Sequence, residues 1–270
     1  IIFSNFSFGK EFNELFTIYE PIKESSQIEK SINSSFNNMV YRLSGSSSPS
    51  NVWKIINSGV KRKDLILSYS IKKIDNQSYL QVVFDQKKFI NQLAALSIPI
   101  VNYSRPVLFF LIEVDSGSKR PYFLTDTTEL SEIDKVIIES LSKFSTNRGI
   151  FLELPVFDLQ DTQDLSSLTI LSNPVNRISS KYNFDQLIKI KFTKSGINNW
   201  YASGDLEYST SSENSTDEIL AVFDKYLSEL IDSNLSKLNI KPEKKSSLDI
   251  FINDVYSYEG VINYLYAIDL

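Results

Sequence analysis

Apolar residues along the first hundred positions follow two different periods, and the change from one period to the other marks the elements. A run at 14–22, rich in β-branched and aromatic residues, predicts a strand that ends near Pro21. The other elements predicted from helical or alternating spacing are helices over 25–45, 51–59 and 86–98 and strands over 65–74 and 79–85. This part of the chain therefore predicts a small α+β domain ordered strand, helix, helix, strand, strand, helix.

The pattern changes after position 102, where strands become continuously apolar. The run 107–114 has the composition of a strand that is buried on both faces of a sheet. The elements predicted after it are strands over 150–154, 184–193 and 199–209 and helices over 131–149, 174–183 and 216–238. Strands that alternate with helices indicate an α/β domain with a mostly parallel sheet.

The last thirty residues form a separate predicted segment. A polar linker at 241–247 precedes a strand at 248–255 and a helix at 258–268. One strand and one helix cannot bury a core, so this β-α unit either docks on the first domain or begins a truncated third one. The predicted domains are therefore 1–101, 102–240 and 241–270, with the first two joined near 102–105.

Composition narrows the possible chemistry. The 270 residues include no histidine and no cysteine, and the net charge is −5. These absences exclude a thiol nucleophile, a Ser–His pair, a Cys/His zinc site and a disulfide, so any metal would need oxygen ligands only. The acidic net charge disfavours nucleic acid as a main partner. No stretch of the sequence reaches the ~20 apolar residues of a membrane span. No sequence motif predicts a cofactor.

The beginning of the chain allows two interpretations. An apolar patch that starts at Ile1 is followed by small residues, Ser7 and Gly9. The end of a secretory signal has this pattern, and a trimmed chain could also begin in this way. The sequence leaves both open.

Three aspartates follow the predicted strand at 150–154. Asp158, Asp161 and Asp164 are three residues apart, and no glycine lies among them, unlike an EF-type calcium loop. The favoured interpretation is structural, with Asp158 or Asp161 capping the loop that leaves the strand. The alternatives are a cation site and acid–base catalysis. Arg105 is a candidate ion-pair partner for one of these acids, although a simple βαβ unit places it at the opposite end of the strands.

Aromatic residues are the remaining candidates for a binding surface. Trp200, Tyr201 and Tyr208 could stack on sugars or peptides, and residues of this kind are more often core or cross-strand pairs. Trp53 lies on a short predicted helix and is expected in the core.

Several segments in order resemble the proteobacterial family called domain of unknown function 2066. They are "VYRLSG" (40–45), "LQVVFDQKKFINQL" (80–93), "IPIVNYSRPVLFFL" (98–111), "LELPVFDLQD" (152–161), "SSKYNFDQLIKIKF" (179–192) and "NNWYASGDLEY" (198–208). The chain departs from the family at 100–103, where the family usually has a tryptophan. The resemblance covers most of 14–240 and implies an exported, periplasmic protein without established activity.

Two further likenesses concern the fold alone. The order β-α-α-β-β resembles the POTRA modules of the bacterial envelope, and the second predicted domain resembles the TolB N-terminal domain. Together these observations favour a non-enzymatic exported module that binds envelope proteins. The alternatives are a metal-dependent hydrolase that uses the Asp158, Asp161 and Asp164 loop, and a binder of glycan or lipid.

Overall fold

The structure is a computed structural model that describes residues 9–22, 28–74, 77–101, 103–118, 120–125, 131–158, 161, 180–196, 199–209 and 215–240. The predicted linker and the β-α unit at 241–268 lie outside these residues. So does most of the predicted helix 174–183, and its described part, 180–183, is not helical.

The described elements are numbered here in chain order. The strands are β1 (Lys10–Glu11), β2 (Thr17–Pro21), β3 (Ile66–Ile74), β4 (Gln77–Phe84), β5 (Ile100–Val101), β6 (Ser104–Arg105), β7 (Val107–Asp115), β8 (Tyr122–Phe123), β9 (Phe151–Glu153), β10 (Gln186–Ser195), β11 (Asn199–Gly204), β12 (Tyr208–Ser209) and β13 (Asn239–Ile240). The helices are α1 (Ile28–Ser44), α2 (Pro49–Asn57), α3 (Gln86–Ala95), α4 (Glu132–Arg148) and α5 (Ser215–Ser236), and Arg62–Leu65 forms a 3-10 turn.

The first part of the chain forms a three-stranded antiparallel sheet covered by helices. The strand order is β2-β4-β3, so β4 is central and β3 has a partner on one side only among the described strands. Alternate residues of β4, Leu80, Val82 and Phe84, point toward the helices and join a core with Phe36 of α1 and Phe89 of α3. The predicted order strand, helix, helix, strand, strand, helix is confirmed.

The second part forms a six-stranded sheet around β7. The order is β12-β11-β10-β7-β8, and β9 pairs with the opening residues of β7 on the same side as β8. Pairing of β7 with β10 and with β9 is parallel, whereas the other three pairings are antiparallel. The prediction of a mostly parallel sheet is therefore wrong. The sheet is mixed, because hairpin connections extend it on both sides of the parallel centre.

The two faces of β7 are both buried but by different partners. Leu108, Phe110 and Ile112 face a large core that includes residues of α4 and α5. Phe109 and Leu111 face the other side, where the Tyr182 ring stacks on Phe109 at 4.3 Å between centroids. This double burial explains why β7 is apolar at almost every position.

Helix α4 shows how local sequence signals set element boundaries. Its N-terminus is a capping box in which the Ser131 hydroxyl accepts from the Asp134 backbone N–H and the Asp134 carboxylate accepts from the Ser131 backbone N–H. Its C-terminus is Gly149 in a left-handed conformation, with φ 58°. The predicted range 131–149 matches both ends.

The three-stranded sheet and the six-stranded sheet are separate and belong to different cores. Short strands connect the two parts of the chain. Strands β7 and β4 lie in different sheets, as predicted. Near the junction, β1 pairs with β6 and β13 pairs with β5, so segments from distant parts of the chain attach to the crossover at 100–105. Asn102 itself is outside the described residues, and the boundary at 101/102 stays a prediction.

Candidate functional site

The aspartate loop is a capped turn that a lysine covers. The Asp158 carboxylate accepts from the Asp161 backbone N–H at 2.7 Å, and the Asp161 carboxylate accepts from the Asp158 backbone N–H at 3.2 Å. Lys181 donates to both carboxylates, at 3.0 Å and 2.5 Å. The capping geometry that the sequence predicted for this loop is therefore present, whereas Asp164 lies outside the described residues.

This arrangement does not offer an open cation site. Asp161 is buried, and the hydrogen bonds to Asp161 and Asp158 raise the pKa of Lys181. A lysine held in its protonated form occupies the position between the two carboxylates where a cation would bind. In the described part of the chain, no group of three or more acidic side chains has the geometry to hold a metal ion.

Replacing Asp158 by alanine is expected to lower the free energy of unfolding by about 1 kcal/mol, as loss of a helix-type cap does. Urea denaturation measures the change, and exposed Glu207→Ala is the control that leaves the midpoint unchanged. A variant with unaltered stability that no longer binds a partner would instead assign the loop a direct role in binding.

Arg105 does not pair with the aspartate loop. It is fully buried between the two cores, where it donates to the carbonyl oxygen of Arg42 at 3.1 Å and to that of Val101 at 3.4 Å. Burial lowers the pKa of Arg105 to about 9, and the positive charge of Arg148 acts in the same direction. The candidate ion pair is thus replaced by carbonyl contacts, because Arg105 ends β6 and is buried beside α1 and β5 rather than beside the aspartate loop.

Arg42 is a second buried arginine that the sequence did not single out. All its donor nitrogens find carbonyl oxygens, and the acceptors are Glu14, Leu15, Thr17, Thr146 and Asn147. Burial lowers the pKa of Arg42 to about 9, with the charge of Arg105 as a further cause. The side chain joins the turn before β2 to the end of α4 and is a structural clamp between the two cores. The sequence placed Arg42 at the end of the predicted helix 25–45 and did not indicate its burial.

The two tryptophans lie in different environments, Trp200 in the second core and Trp53 at the surface. Trp200 is 5% exposed and packs in the second core, so it offers no stacking surface, while Tyr201 beside it is 40% exposed. Trp53 is 58% exposed, and its predicted burial is wrong. Val52 and Ile55 take the buried positions of α2, and a nine-residue helix has room for only one narrow apolar face.

Strand β3 carries the largest group of exposed apolar side chains in the described chain. Leu67, Tyr69 and Ile71 are 69%, 57% and 54% exposed, and Ile74 at the end of the strand is 42% exposed. Tyr69 and Ile71 pair with Val82 and Leu80 of β4, which face the helices, so their side chains lie on the helix-covered face of the sheet. The helices stop short of β3, which leaves this part of the face open.

A groove lies between the start of β3 and the helices, with a volume of about 1210 Å³. We call it the β3 groove. Its lining residues are Ile28, Glu29, Ile32 and Asn33 of α1, Ile56 of α2, Val60–Lys63 and Ile66–Tyr69. Three of these are cations, Lys61, Arg62 and Lys63, against one carboxylate, Glu29. The alternating run 65–74 predicted the strand but did not predict that its apolar side would be exposed.

Comparison with known proteins gives no similar protein, so inference of function depends on the geometry of the structure. No family model matches the chain, and no curated protein or solved structure gives a match. The helices of the described residues are all too short or too polar to cross a membrane.

Proposed function

We propose that this protein is a non-enzymatic binding module that captures an extended segment of another protein at the edge of β3. The observation that carries the proposal is the exposed apolar row Leu67, Tyr69 and Ile71 beside the β3 groove. Exposed apolar groups of this size on an edge strand cost solubility and invite aggregation. A partner that covers them removes this cost.

Strand addition is the binding mode that fits an edge of this kind. Eight of the nine residues of β3 pair with β4 on one side, and the other side has no partner among the described strands. The backbone N–H and C=O groups on that side can hydrogen-bond an incoming strand, and the groove can accept its alternate side chains. The backbone bonds would provide affinity, and the side chains in the groove would provide specificity.

The cellular setting is part of the same proposal. The likeness of the motifs to domain of unknown function 2066, with a POTRA-like first domain and a TolB-like second domain, supports an exported protein of the periplasm. The partner would then be a protein of the cell envelope. The buried arginine contacts support a scaffold role, because they join β2 and α1 of the first core to α4 and β6.

A photo-crosslinking amino acid at Leu67 is expected to capture a discrete protein from an envelope extract, because this side chain lies at the edge that the partner covers. Excess unlabelled wild-type protein should compete, whereas Ile71→Lys should not, since a charge on the apolar face prevents docking. The same crosslinker at Tyr201, which is exposed on the other sheet, is the control. Identical products from both positions, or full competition by Ile71→Lys, would contradict strand addition at β3.

A further inference from the structure

We infer that the segment that binds β3 is acidic and amphipathic, with apolar residues at alternate positions and carboxylates between or beside them. This inference rests on the proposed function. It starts from the distribution of charge, because the chain as a whole has a net charge of −5 while the β3 edge is basic. Lys61, Arg62 and Lys63 line one end of the groove, and Lys72 and Lys73 lie near the other end of the strand.

These five cations have no ion-pair partner among the described residues. Other lysines of the chain do find carboxylates, including Lys181 and Lys191. The Arg62 guanidinium lies over the Phe36 ring at 5.5 Å, and its buried Nε has no hydrogen-bond acceptor within the described part of the chain. A carboxylate of an incoming strand would reduce the repulsion among the neighbouring cations.

The apolar part of the ligand follows from the floor of the groove. Ile28, Ile32, Ile56 and Val60 form that floor beside Tyr69 of β3. An added strand directs every second side chain to this face and the others away from it. A segment with apolar residues at alternate positions fills this floor, and carboxylates beside them lie near the cations at the two ends of the groove.

Charge also argues against two other occupants. A second copy of this chain that paired β3 with β3 about a two-fold axis would bring two basic edges together. Nucleic acid would meet the cations, but its phosphates would lie against an apolar floor that offers them no hydrogen bonds. An acidic protein segment avoids both conflicts.

The test uses the full chain and three labelled peptides of about eight residues, enough to span most of β3. Valine alternates with glutamate in the first, with glutamine in the second and with lysine in the third. By fluorescence anisotropy at low salt, the glutamate peptide should bind about tenfold more tightly than the glutamine peptide, because several exposed ion pairs add to that amount. The lysine peptide should bind most weakly, and the preference should shrink in high salt as screening increases.

Charge reversal gives the matched comparison. The double variant Lys61→Glu, Lys63→Glu should lose the preference for glutamate, since both side chains are exposed and their replacement leaves the core intact. Lys87→Glu with Lys135→Glu makes the same change in net charge at exposed sites away from the groove and should retain the preference.

Four outcomes would overturn the inference in different ways. Equal binding of all three peptides, abolished by Ile71→Lys, would leave strand addition intact and refute acidic selectivity. No binding of any peptide would refute the proposed site itself. Competition by a single-stranded oligonucleotide would reassign the groove to nucleic acid. A dimer in light scattering that Ile71→Lys dissociates would assign the edge to a second copy.

Discussion

Replacing Arg42 by methionine is expected to lower the free energy of unfolding by about 3–5 kcal/mol, because several buried carbonyl oxygens lose their hydrogen-bond donor together. The side chain is 1% exposed and fills the space between the two cores. Methionine keeps much of the volume but donates no hydrogen bond. Carbonyl oxygens of the turn before β2 and of the last turn of α4 would then lose their donor, at a cost of about 1–3 kcal/mol for each oxygen that stays buried and unsatisfied.

The loss should also uncouple the two cores. Besides Arg42, the polar links between them include Arg105, which donates to the Arg42 carbonyl oxygen at 3.1 Å, and Asp232 of α5, which accepts from the Ser47 backbone N–H at 2.9 Å. Urea denaturation of the wild type should give one transition, and Arg42→Met should give two, since the side chain that bonds carbonyl oxygens of both cores is then lost. The two tryptophans report separately, because Trp53 lies on α2 and Trp200 on β11.

The control for this experiment is Lys30→Met on the same helix. Lys30 is exposed, so its replacement removes an equal charge without removing a buried contact. Its denaturation curve should overlay that of the wild type. If Arg42→Met also retained the wild-type midpoint and slope, the carbonyl contacts would carry no net stability and the clamp would be refuted.

Replacing Gly204 by alanine is expected to cost about 3–5 kcal/mol, as backbone strain and overpacking act together. Gly204 ends β11 with φ +102°, a conformation that favours glycine. A Cβ atom there would lie 2.3 Å from the carbonyl oxygen of Lys189, which belongs to the backbone of β10 and cannot swing away. The same oxygen accepts from the Asp205 backbone N–H at 2.8 Å, so the substitution also disturbs the end of the β10–β11 pairing.

Gly196 offers a matched control in the neighbouring hairpin turn. It too has a positive φ, +76°, but a Cβ there meets no atom within 4 Å among the described residues. Gly196→Ala should therefore cost only the strain, about 1–2 kcal/mol. Thermal denaturation followed by circular dichroism measures both variants, and equal losses would mean that the close approach to Lys189 has no energetic effect.

Local sequence signals were sufficient to predict most of the helices and the longer strands. The apolar spacing of α1, the capping box of α4 and the apolar run of β7 act within a few residues of each other, so the chain pattern predicts them directly. The two-residue strands, such as β5 and β8, were missed. Strands that short have no period of their own, and a distant partner alone defines them.

The sheet pairings required the tertiary structure for the same reason. The strand-helix alternation indicated parallel neighbours, and β7 with β9 and β10 confirms this for the centre. The strands that extend the sheet pair through hairpins, and their antiparallel direction made the whole sheet mixed. Alternation of apolar and polar residues along a strand indicates which residues share a face. It does not indicate which other strand lies alongside.

Some features of the candidate site could be predicted from the sequence, and others required the tertiary structure. The sequence by itself determined the chemistry that is excluded, with neither histidine nor cysteine, and the capping role of Asp158 and Asp161, because that role needs only neighbours three residues apart. Only the tertiary structure decided that Arg42 and Arg105 are buried at an interface and that Tyr69 and Ile71 are exposed. Burial depends on which surfaces meet, and the alternation of β3 is the same whether a helix covers that face or leaves it open.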